Sequence, residues 1–211
     1  MHYRYGVDLS VPNTTDLRID RARLLRRLAD LATIGAIDGT EGCARLALTD
    51  EDKAGRDLVV AAMDDLGLAV TVDGIGNVVG VLPGQTDGPP VMCGSHIDTV
   101  RTGGRYDGNL GVLAGLEMIE VVKAAGITPY RPLAVAIFTD EEGSRFAPDM
   151  LGSLVYVGGM TVEEALTIEA IDGALLGDEL TRIGYDGAAP LPAAAPYAFV
   201  ELHIEQGPVL E

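Results

Sequence analysis

Two histidines and four carboxylates are the residues through which this chain could do chemistry. His96 and Asp98 stand two apart in Gly94-Ser95-His96-Ile97-Asp98-Thr99-Val100, and Asp107 follows in Gly103-Gly104-Arg105-Tyr106-Asp107-Gly108. Glu141 and Glu142 are adjacent, and His203 lies in Glu201-Leu202-His203-Ile204-Glu205. Imidazole nitrogens and carboxylate oxygens are donors that divalent transition metals accept. A glutamate beside such an ion can take a proton from water whose pKa the ion lowers to about 7. Together the six residues predict a hydrolytic metal centre. The third histidine of the chain, His2, falls in what reads as a mobile N-terminus.

Each piece alone has a plain structural alternative. On an extended chain, residues two apart point the same way, so Asp98 can accept the N–H of His96 and fix its tautomer, as carboxylates do for metal-bound imidazoles. A histidine satisfied by a neighbouring carboxylate needs no metal. Asp107 precedes a glycine, a common turn signal. Glu141 and Glu142 follow an apolar run, where unpaired carboxylates are costly, yet acids also decorate helix N-termini. The alternation around His203 fits a strand edge, with Leu202 and Ile204 on one side and Glu201, His203 and Glu205 on the other.

The elements that must position these residues follow from periodicity. Residues 16–34 predict an amphipathic helix with Leu17, Leu24, Leu25, Leu28 and Leu31 on one face and Thr15 as its cap. Thr49, followed by Asp50, Glu51 and Asp52, predicts a second helix that ends at Gly67. Two strands, 68–72 and 77–82, flank a hairpin turn at 73–76. A strand at 90–95 leads into His96, a helix spans 110–125, and the continuous apolar run 133–139 predicts a strand buried on both faces. Two short helices within 161–182 and a last strand at 198–205 complete the reading. Alternating strands and helices imply an α/β three-layer sandwich with a mixed, mainly parallel sheet flanked by helices. In such sheets sites collect at the carboxyl ends of strands, and His96, Glu141, Glu142 and His203 all fall at or beyond predicted strand ends.

Composition narrows the function classes. The net charge of −17 argues against nucleic acid as a partner, because phosphate binding needs clustered cations. A hydrophobic content of 47% with 22% charged residues is that of a folded globular chain. No apolar run approaches the about 18 residues that cross a bilayer, and Met1-His2-Tyr3-Arg4-Tyr5 lacks the apolar centre of a signal peptide. Two cysteines, Cys43 and Cys93, do not make a disulfide framework, Cys93 reading as a buried thiol, so a reducing cytoplasm is the expected compartment. There is no Gly-x-Ser-x-Gly elbow, no Gly-Lys-Ser/Thr phosphate loop and no His-Glu-x-x-His. Gly74-Ile75-Gly76-Asn77-Val78-Val79-Gly80 has the wrong spacing for a dinucleotide loop.

These blocks, in this order, resemble the dimetal aminoacylase/carboxypeptidase superfamily of M20 type. The branch is that of amidases including N-carbamoyl-L-amino acid hydrolases and allantoate amidohydrolases. Gly94–Val100 with Gly103–Gly111, Phe138–Phe146, Glu201–Glu211 and Arg45-Leu46-Ala47-Leu48-Thr49 carry the resemblance, which extends over nearly the whole chain. It implies that His96, Asp107 and His203 hold one metal ion, with Asp107 bridging to a second that Glu142 also binds. Glu141 is then the general base and Asp98 the support of His96. Two divalent ions are implied, zinc by the N/O donors, with manganese, cobalt or nickel as alternatives.

The implied reaction is hydrolysis of a C–N bond in a small ureido or amide substrate, the ions polarising the carbonyl and Glu141 moving the proton. In peptidase relatives a carboxylate replaces the ligand matching His203, so His-Ile-Glu-Gln-Gly-Pro points to the carbamoylase side. The family also carries an inserted dimerisation domain and a returning catalytic segment with the last histidine ligand. The chain is therefore expected to be the first segment, 1–211, of a metal-binding catalytic domain, incomplete at its C-terminus, in a protein that forms homodimers through the inserted domain. A metallopeptidase or aminoacylase on the same scaffold, or a non-catalytic metal- or partner-binding module, are the alternative readings.

Overall fold

The computed structural model describes residues 14–207 and 209. His2, with the mobile N-terminus expected around it, and Pro208, Leu210 and Glu211 of the last motif lie outside the described residues.

Capping sets the first helices. Helix α1 spans Arg21–Ala32, with the Asp20 carboxylate accepting the Arg23 N–H. It begins later than the periodicity suggests, and Thr15 is not its cap. The Asp20 N–H is engaged by the buried Glu117 carboxylate at 2.6 Å, which also takes two bonds from Arg23. That long-range docking, invisible in local spacing, fixes where the helix starts. Helix α2, Asp50–Asp65, begins at Thr49 as expected, with three acids in its first turn facing the positive end of the helix dipole.

Strands β1 (Ala69–Val72) and β2 (Val78–Leu82) form the expected antiparallel hairpin. Strand β3 (Val91–His96) leads into α3 (Asn109–Ala124), and β4 (Leu133–Phe138) follows. Helix α4 (Leu151–Tyr156) has no counterpart in the sequence reading; α5 (Val162–Leu166) and α6 (Leu176–Ile183) are the two short helices it expected. Strand β5 covers only Ala198–Val200, not 198–205. Beyond Val200 the chain leaves the ladder: the Glu201 carboxylate takes the Ser95 hydroxyl at 2.5 Å, and the Leu202 carbonyl lies against Gly111 of α3.

The five strands form one sheet in the order β1-β2-β4-β3-β5. It is mixed as expected, but evenly so: β2 runs antiparallel to β1 and β4, and β3 runs parallel to β4 and β5. Alternation along β4 separates two faces. Val135 and Ile137 enter the main core with Leu28 and Leu31 of α1, Met63 of α2 and Leu116 of α3. Ala134 and Ala136 face a small second cluster with Met92, Val79, Phe138 and Tyr156. Tyr156 of α4 packs on that second face, and a cavity beside it is lined by Met92, Pro190, Ala193 and Ala194. No helix among the described residues is long and apolar enough to cross a membrane.

Candidate metal centre

The parallel pair β3–β4 delivers the chemistry to one place. Its register aligns His96 with Phe138, so the segments beyond both strands emerge side by side at their carboxyl ends. The Asp98 carboxylate accepts the backbone N–H groups of Glu141 and Glu142, each at 3.2 Å. From the other side, the carbonyls of Thr139, Asp140 and Glu141 accept N–H groups of Gly152, Leu151 and Met150 at 2.8, 3.2 and 2.7 Å. Helix α4 thus pins the turn that carries both glutamates. Asp140 and Met150 have φ of 52° and 53°, a left-handed conformation uncommon outside glycine.

His96 is buried, and its Nδ1 lies 2.9 Å from the backbone carbonyl of Asp98, while the Asp98 carboxylate is 3.7 Å away. The ring proton therefore sits on Nδ1, and the carbonyl rather than the carboxylate is its hydrogen-bond acceptor. This corrects the expectation that the Asp98 side chain fixes the tautomer. That side chain holds the glutamate turn instead.

The Nε2 lone pair of His96 is left facing Asp107 Oδ1 at 3.9 Å and Glu141 Oε2 at 3.3 Å. His203 repeats the pattern from an irregular segment: its Nδ1 meets the Ile204 carbonyl at 2.7 Å and its Nε2 lies 3.2 Å from Asp107 Oδ1. The two imidazoles are stacked 6.0 Å apart. Gly108 lets the Asp107 loop close over the first ring. Its φ is 63°, and a Cβ there would fall 2.5 Å from His96 Nε2.

One donor atom from each of His96, Asp107 and His203 lies within 4.8 Å of the others. His96 Nε2, Asp107 Oδ1 and Glu142 Oε1 are all buried without a hydrogen-bond partner among the described residues. Buried polar atoms are almost always partnered, so orphaned donors of this chemistry, His96 and Asp107 within one compact group, fit a cation. Glu142 stands apart from the compact trio but close enough to feel Asp107. Burial, and then the Asp107 charge, push its carboxyl up to about 7.

The electric field of the site favours positive charge. Burial opposes ionisation of His96, but the nearby carboxylates of Asp98, Glu141 and Glu142 and the Asp98 carbonyl outweigh it and raise its pKa. Asp98 is also raised, chiefly by burial. Asp140 was not singled out from sequence. It is fully buried, neither carboxylate oxygen has a hydrogen-bond partner, and burial and then Asp98 push it up to about 8. Beneath the turn, Arg56 of α2 bonds Asp52 at 2.8 Å, the Gly76 carbonyl at 2.6 Å and the Thr139 hydroxyl at 3.3 Å, anchoring the end of β4.

A mixed α/β sheet with imidazole and carboxylate donors converging at its strand ends is the scaffold of a metal-dependent hydrolase. The chain belongs to the peptidase family M20/M25/M40, whose model matches residues 92–211. It is 43% identical to an N-carbamoyl-L-amino-acid amidohydrolase of Rhizobium meliloti over 92% of its own length and 47% of that protein. It is 34% identical to a ureidoglycolate hydrolase of Arabidopsis thaliana over 96% of its length and 44% of that protein. The crystal structure of a hydantoinase/carbamoylase family amidase from Burkholderia vietnamiensis superposes with a TM-score of 0.90 at 48% identity, covering 93% of this chain and 48% of that one. The chain thus spans about half the length of the curated relatives it matches.

Proposed function

We propose that the protein to which this chain belongs hydrolyses the carbamoyl C–N bond of an N-carbamoyl-L-amino acid or a related ureido compound. The observation that carries this reading is the convergence of His96, Asp107 and His203 around orphaned donor atoms, in a chain whose relatives are named for ureido substrates. In this proposal His96, Asp107 and His203 hold one divalent ion, and Asp107 and Glu142 contribute to a second. When bound, the ions supply Lewis-acid polarisation of a carbonyl and a lowered pKa for water.

The remaining work falls to the chain's own groups. Glu141, 34% exposed and 3.3 Å from His96 Nε2, faces solvent and is free to take a proton from water and return it to the leaving nitrogen. Asp98 holds the turn that aims it. The repulsion that the Asp107 charge exerts on Glu142 would be relieved by a cation that these residues held. His203, where peptidase relatives carry a carboxylate, favours the ureido reading over a metallopeptidase one.

Zinc, a homodimer built by the remainder of the protein and a cytoplasmic setting belong to the same proposal. Two free cysteines, Cys43 buried and Cys93 half-buried, support the last. The test is turnover of N-carbamoyl amino acids by the whole protein, with Glu141→Gln as the variant. The proposal predicts a loss in kcat of about 10²–10⁴-fold, the worth of a positioned acid–base group, with metal content unchanged. Unaltered turnover in Glu141→Gln would remove Glu141 from its role, and hydrolysis of peptides in preference to ureido substrates would overturn the substrate class.

A further inference from the structure

Arg45 is fully buried, and among the described residues its guanidinium bonds only neutral groups. Nε donates to the Ile97 carbonyl at 2.8 Å, Nη1 to the carbonyls of Leu31 and Ile34 at 3.1 and 2.8 Å and to Cys43 Sγ at 3.3 Å, and Nη2 to Asn109 Oδ1 at 2.9 Å. Burying a cation without a counter-charge is costly, so packing alone does not account for an arginine at this position. Its partners do. Ile97 lies between His96 and Asp98. Asn109, besides accepting from Arg45, donates to the Arg105 carbonyl at 3.1 Å, closing the loop Arg105–Asn109 that has Asp107 at its centre. The backbone of Arg45 adds two bonds to Thr99, its N–H to the hydroxyl and its carbonyl from the Thr99 N–H, both at 2.8 Å. Helix α2 makes room for the side chain: a Cβ on Gly55 would lie 2.9 Å from Arg45 Cδ.

We propose that Arg45 is a positioning residue whose planar fork, through the Ile97 carbonyl and the Asn109 carboxamide, sets the separation of His96 from Asp107. This rests on the metal-centre reading above. One rigid group reaches both donor-bearing segments, adding a fixed link to the packing of α3 on β3 and the close approach of Gly108 to His96. Lysine keeps the charge but offers a point donor instead of a fork, so it cannot span both.

The test compares the parent chain with Arg45→Lys, Asn109→Ala, the double variant and His96→Ala. It uses cobalt(II) affinity by chelator competition, thermal melting and, without metal, the ¹⁵N signals of the His96 ring. Groups that orient metal ligands are worth about 10–100-fold in affinity. Arg45→Lys is therefore expected to weaken cobalt binding by about that factor. It should also replace the single Nδ1–H tautomer pattern of His96 with an averaged one. Asn109→Ala should weaken binding and also lower the melting temperature, because it leaves a buried guanidinium N–H without its acceptor, and the effects of the two substitutions on affinity should be non-additive. Parent-like affinity and His96 signals in Arg45→Lys, or full affinity in Asn109→Ala, would overturn the inference. Equal affinity in the parent and His96→Ala would instead overturn the metal-centre reading and the inference with it.

Discussion

At the scale of single residues, the groups around His96 hold their protons more tightly than free side chains do. Asp140 and Glu142 are pushed up to about 8 and about 7, and Asp98 and His96 are raised as well. Each group binds its proton more tightly folded than unfolded. The stability this contributes is complete below the unfolded values and is lost as pH rises through the folded ones. In the presence of chelator, the urea midpoint of the chain is therefore predicted to fall between pH 5 and pH 8. Added divalent metal should reverse that trend, because deprotonated donors bind it. A chelated chain whose midpoint rises over this interval would contradict the assignment. The proximity of His96, Asp107 and His203 was legible from residue type and position. Asp140 was not, because next to Glu141 and Glu142 it reads as one more acid, and only the turn geometry reveals that it points inward. The acceptor of His96 was misread for a similar reason, since side-chain spacing carries no information about which carbonyl a ring will find.

At the scale of elements, the part that was not legible is the part that aims the glutamates. Helix α4 has six residues, follows a left-handed Met150 and lacks a side-chain cap, so none of the usual start signals marks it. Gly152, in its first turn, lets it press on the end of β4. A Cβ at this position would fall 2.3 Å from Asn77 Oδ1 and 2.5 Å from the Thr139 backbone. Gly152→Ala is predicted to cost about 1–3 kcal/mol, the range for overpacking, and to weaken metal binding by displacing Glu141 and Glu142. An unchanged melting temperature would show that α4 does not constrain the turn. The long elements were legible because their signals are local: Thr49 and three acids mark α2, and an unbroken apolar run marks β4. The last strand was overextended because alternation persists through 201–205, whereas pairing with β3 ends at Val200.

At the scale of the whole molecule, the sheet orders the chemistry. The hairpin β1–β2 lies at one edge and β5 at the other, and the parallel pair between them opens toward the donors. The parallel character was legible only in part, since alternating strands and helices do not say that a hairpin will supply two of the five strands. Tyr197, Phe199, Val200 and Leu202 are exposed along the β5 edge, next to the segment that brings in His203.

The central claim is that His96, Asp107 and His203 hold a divalent ion, and anomalous diffraction at the zinc edge from zinc-soaked crystals tests it most directly. The account predicts a strong peak about 2.0–2.2 Å from His96 Nε2, His203 Nε2 and an Asp107 oxygen. Zinc bound elsewhere on the acidic surface, with these three residues left without a peak between them, would contradict it.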